Sequence, residues 1–211
     1  MCWDELQAVE LYPSSPQPIR VDRFVEKRFK IAIAYEELPN GLLGFTEFGD
    51  NGVKSIVVAE VLDGDSQSGE RRLRTTLAHE AGHCLLHTHL MVLGAQSRSL
   101  FEGGLDEKRP RILCRNESVL PQGTFRKYTG QWWEFQANQA MGALLLPRAL
   151  VQTTLGDLLV GQGTLGKRTI PPERREQAAE LLSEVFEVNP IVATLRLAGI
   201  YPTDRELQLT L

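Results

Sequence analysis

Apolar positions recur along the chain with two different periods, and the switches between them mark out its elements. After a Pro/Ser-rich entry, Ile19, Phe24, Val25 and Phe29 are spaced as on one face of a short helix across 19–29. Residues 30–35, KIAIAY, then alternate as a strand does. Two further β-rich runs, 44–48 and 54–61, flank Gly49-Asp50-Asn51-Gly52, a set of residues that tolerates positive φ, so a hairpin is expected. A polar loop over 63–69 leads into 71–89, which lacks proline and places Leu73, Leu77, Ala81 and Leu85 four apart, as a long helix requires.

Helical spacing resumes over 132–146, with Ala137, Met141, Leu144 and Leu145 as its packing stripe, and stops at Pro147. A Gly-rich connector over 156–172 is followed by two helices, 173–187 and 190–197, the second capped by Asn189 with Pro190 in its first turn. Between the two long helices, 96–130 shows neither period and mixes basic with aromatic residues. It reads as a long loop or hairpin excursion. The expected fold is α+β. A core over 1–147 and a helical subdomain over 148–211 packed on it are expected.

Composition narrows the function classes. Hydrophobic residues at 42% and charged residues at 24% are ordinary for a globular domain. A net charge of -4 supplies no general attraction to nucleic acid or to an anionic membrane. No run approaches the roughly 18 to 20 apolar residues of a membrane helix. The N-terminus carries acidic residues and prolines where a secretory signal needs a basic start and an apolar stretch. The only cysteines, Cys2, Cys84 and Cys114, are odd in number and suit a reducing compartment. A cytoplasmic location is expected.

The chemistry concentrates in His79-Glu80-Ala81-Gly82-His83, an HExxH motif inside the long helix. Histidines four apart share a helical face, so both imidazoles can reach one Zn²⁺ at about 2.0–2.1 Å. Glu80 lies one step round the helix, where a carboxylate can take a proton from a water whose pKa the metal lowers to about 7.

A catalytic zinc takes a third protein ligand, and the downstream candidates are His87, His89, Asp106, Cys114, Glu117 and Glu134. His87 shares the histidine face but stands about 9 Å along the axis from the middle of the pair. No glycine breaks the helix before it, so His87 is read as a hydrogen-bonding partner and His89 as a helix-end residue. Glu134 opens the second long helix and would bring a carboxylate from a rigid element onto the first. Asn138, one turn later, would face the same way and orient a ligand. For the second donor that an oxyanion needs, Tyr128, His87 and Arg126 are the candidates, and an extended substrate could pair with 55–61 if that strand is an edge.

Two blocks resemble the ImmA/IrrE-type metallo-endopeptidases: 75–87, TTLAHEAGHCLLH, and 134–147, with E-x-x-A-N followed by L-L-x-P. The runs 41–47, 55–60 and 186–197 add softer similarity. The resemblance implies a zincin-like fold with a small antiparallel sheet packed on the active-site helix, zinc held by His79, His83 and Glu134, and Glu80 as general base. It further implies cleavage of a regulatory protein, commonly a helix-turn-helix repressor. The chain departs from the family pattern at Ala140-Met141, where Phe-Ala is usual, and in the long spacing from His83 to Glu134.

Other motifs weigh less. Residues 161–166 match G-x-G-x-x-G, yet Pro171 and Pro172 deny the helix that a dinucleotide site needs, so a connector is expected. Acidic residues dilute the basic and aromatic excursion, which reads as a loop over the cleft, with Cys114 an idle thiol. The last two helices resemble a helix-turn-helix, but 190–197 offers only Arg196 to DNA. A DNA-associated regulator with a structural or sensing zinc and a zinc hydrolase of non-protein amides are the alternatives to the peptidase.

Overall fold

The computed structural model describes residues 1–62, 66–101, 111–115, 132–162 and 167–202. The expected hairpin forms from β2 (Leu42–Gly49) and β3 (Gly52–Ala59), paired antiparallel around Asp50-Asn51. Gly52 at the turn has φ of 121°, where a side chain would be strained. β1 (Ile33–Glu36) runs parallel to β3, and β4 (Arg111–Arg115) runs antiparallel to β2, giving the order β1-β3-β2-β4.

The sheet is therefore mixed, where an antiparallel one was expected. β3 inserts between its hairpin partner and β1 because Ile56, Val57, Val58 and Ala59 form an unbroken apolar run, buried on both faces, that suits a central strand. It follows that 55–61 is not an edge on which a substrate could pair. Among the described strands of this sheet, the edges are β1 and β4.

The N-terminal entry also differs from expectation. It contains a helix, α1 (Cys2–Ala8), anchored by the buried Leu6 and by the Cys2 thiol, which lies 3.8 Å from the Ala140 carbonyl oxygen. α2 (Val21–Phe29) buries Val21, Phe24 and Val25. α3 (Gln67–Phe101) continues 12 residues past His89, which is exposed within the helix and not at its end. Gly94, the one glycine of the helix beyond His89, costs about 1 kcal/mol against alanine and does not stop it. Residues 96–101 of the expected excursion are thus helical and 111–115 form β4. Its remaining residues, with Asp106, Glu117, Arg126 and Tyr128 among them, lie outside the described residues.

α4 (Trp132–Leu145) is followed after Pro147 by α5 (Arg148–Thr154), a small hairpin of β5 (Val160–Gln162) and β6 (Lys167–Thr169), α6 (Arg175–Val185) and α7 (Pro190–Ile200). The hairpin lies within the expected connector. Asn189 caps α7, its side chain accepting from the Ile191 amide at 3.1 Å. α3 is the central element, with β2 and β3 packed on it and α4 packed along it. One hydrophobic cluster joins Leu6, Phe24, Leu77, Ala81, Met141, Leu182 and Val192. Among the described residues no helix is long and apolar enough to cross a membrane.

Candidate metal centre

α3 supplies His79 and His83 one turn apart, both fully buried, with their Nε2 atoms 3.0 Å from each other. α4 supplies Glu134 from its first turn. Its Oε2 lies 3.2 Å from His79 Nε2 and its Oε1 lies 3.6 Å from His83 Nε2. Gly82 makes this approach possible. A Cβ there would stand 2.8 Å from the Ala137 carbonyl oxygen and 3.2 Å from Ala140 Cβ.

The outward nitrogens fix which atoms face the cluster. His79 Nδ1 lies 3.0 Å from Asn138 Oδ1, an acceptor, so the proton of this imidazole sits on Nδ1. His87 Nε2 donates to Gln136 Oε1 at 3.2 Å, which leaves His87 Nδ1 to accept from His83 Nδ1 at 3.0 Å. Both inward Nε2 atoms therefore present lone pairs. Burial pushes His83 down to about 4, so it is neutral near pH 7. Burial raises the Glu134 carboxyl, and the facing imidazoles hold it at about 2 only when they carry a proton toward it; with both Nε2 atoms bare, a cation at that point would keep the carboxylate ionised.

Two nitrogen lone pairs and a carboxyl group thus converge, and Glu134 Oε2 has no hydrogen-bond partner. Such a donor set suits a metal cation. Donors bound tetrahedrally to one zinc stand roughly 3.4 Å apart, a value that the observed 3.0, 3.2 and 3.6 Å bracket. Among the described residues, His79, His83 and Glu134 are the group able to hold a metal ion. The Glu134 side chain is 13% exposed, and both histidines are sealed.

Glu80, next to His79 in the helix, reaches the sheet. It is fully buried, and its Oε2 accepts from the Thr46 hydroxyl on β2. Its Oε1 has no partner. Burial, opposed by His79 and Thr46, raises its pKa to about 7. Burial likewise pushes the Cys84 and Cys114 thiols up, so neither is a ready thiolate.

Thr46 was not singled out in the sequence, although a signal exists. Alternation through LLGFTEFG places Thr46 on the same face as Gly44, and a hydroxyl facing a buried helix needs a partner there. Gln136 was missed because its exposed position on α4 resembles any solvated polar residue. His87 stands behind His83 on its outward nitrogen, which removes it as an oxyanion donor. Asn138 stands in the same relation to His79. Gly161 and Gln162 of the glycine motif belong to the β5–β6 hairpin, not to a strand-to-helix turn.

No family model and no curated protein matches the chain.

Proposed function

We propose that this chain is a zinc-dependent endopeptidase of the ImmA/IrrE type, zincin-like in fold. Its substrate would be a regulatory protein such as a helix-turn-helix repressor. The observation that carries the reading is the convergence of the His79, His83 and Glu134 lone pairs on one point beside a proton-accepting carboxylate. Those three residues would hold the zinc, which when bound supplies Lewis-acid polarisation and acidifies water. Glu80 takes the proton of the attacking water on Oε1 and passes it to the amine nitrogen as the peptide C–N bond breaks. A carboxyl with a pKa of about 7 suits both directions of transfer near neutral pH.

The substrate strand would add to β4, the edge next to Glu80, whose Leu113 is 43% exposed. The three free cysteines accord with work in the cytoplasm. The DNA-associated alternative finds little support in α7, since its one cation, Arg196, donates through Nε to the Leu146 carbonyl oxygen at 2.9 Å. The test is incubation of zinc-loaded protein with a candidate repressor and mapping of cuts by mass spectrometry, with Glu80→Gln alongside. Absence of stoichiometric zinc, or full cleavage by Glu80→Gln, sinks the reading.

A further inference from the structure

We infer that Thr46 is a positioning residue that holds the Glu80 carboxylate in one orientation, leaving Oε1 as its proton-carrying atom. The inference rests on the peptidase reading above. Thr46 lies on β2, opposite Ile112 of β4 in register. It is fully buried against the face of α3 that carries Glu80.

A glutamate on a helix has three rotatable torsions, and only donors from outside that helix can select one arrangement. β2 provides such a donor because it comes unusually near. At Gly44 a Cβ would stand 3.3 Å from Thr76 Cγ2 on α3. The Thr46 proton is committed to Glu80 Oε2, so the Cys84 thiol, 3.9 Å from Thr46 Oγ1, is the donor of that contact. A directed chain results, from Cys84 through Thr46 to Glu80. It ties down Oε2 and leaves Oε1 unpartnered.

The test uses the zinc-loaded full chain. Thr46→Val keeps the side-chain shape and deletes the donor, while Thr46→Ser keeps the donor. Two readouts are taken: the Glu80 carboxyl band, from infrared difference spectra against Glu80→Gln, and kcat and KM on a cleaved peptide. Thr46→Val is expected to shift the band and to lower kcat about 10- to 100-fold with KM and zinc content unchanged. Thr46→Ser is expected to restore both. A Thr46→Val protein with the wild-type band and kcat overturns the inference. Should the wild-type protein cut no peptide, the peptidase reading fails and the band alone decides the positioning role. If Thr46→Val does not fold, Thr46→Ala decides by the same measurements.

Discussion

Gly82 of α3 and Ala137 of α4 meet with no room for a side chain between them, a Cβ at position 82 falling 2.8 Å from the Ala137 carbonyl oxygen. This contact sets the spacing between the helix that bears both histidines and the helix that bears Glu134. A glycine inside a helix costs about 1 kcal/mol against alanine. Here that cost is offset by an approach no other residue permits.

Gly82→Ala therefore sets two effects against each other. Helix propensity gains about 1 kcal/mol, and overpacking against backbone costs about 1–3 kcal/mol. Because the atoms met are backbone, overpacking should win and α4 should move off α3, carrying Glu134 away from the histidines. Lower zinc affinity in a chelator competition and a lower Tm are expected. Unchanged affinity would show that the helix spacing does not limit the site.

Asn138 and His87 each hold the outward nitrogen of a metal-facing histidine. Replacing either by alanine frees the imidazole to rotate and to change tautomer, and should weaken zinc binding about 10- to 100-fold. Gln136→Ala should cost less, since Gln136 is exposed and water can replace it as the acceptor for His87. Isothermal titration with zinc across the three variants checks this order.

How much of this was legible in the sequence depends on whether a feature is local. His79, Glu80 and His83 were readable because helical period alone sets their relative directions. Glu134 was nominated by its place at the start of a second helix, and the structure sets it beside both histidines. The hairpin was readable from its turn residues. The parallel pairing of β1 with β3 was not, because chain order favours neighbours and only tertiary packing draws β3 into the middle. β4 was hidden for the same reason: Arg111-Ile112-Leu113-Cys114-Arg115 has no distinctive period, and β2 makes it a strand. Thr46 gained its meaning only once β2 lay against Glu80.

Removing the metal should destabilise the fold. Without a cation, the His79 and His83 lone pairs face the Glu134 carboxyl oxygens at 3.2 and 3.6 Å. A ligand bound only by the native state, present 1,000-fold above its Kd, stabilises by about 4 kcal/mol. A drop in Tm on chelation, reversed by zinc, is expected for the wild-type protein. It should largely vanish in Glu134→Gln, which keeps the shape and removes the charge. A chelator-insensitive wild-type Tm would count against a resident metal.

Glu80 makes the metal-free protein sensitive to pH in a definite direction. Its pKa rises from an ordinary 4.5 to about 7 on folding, because burial disfavours the charged form. The native state thus binds this proton more tightly than the unfolded chain does. The resulting stabilisation is complete below about 4.5 and is lost as pH rises through 7. The span of about 2.5 units corresponds to roughly 3 kcal/mol. Glu80→Gln, neutral at every pH, lacks this loss. His83, whose pKa is pushed down to about 4, titrates in both proteins and cancels in their difference. The Tm of metal-free Glu80→Gln minus that of the metal-free wild type should therefore increase from pH 5 to pH 8. A difference that stays flat over that range would place the Glu80 carboxyl in contact with water and remove its raised pKa as the basis for reversible proton transfer.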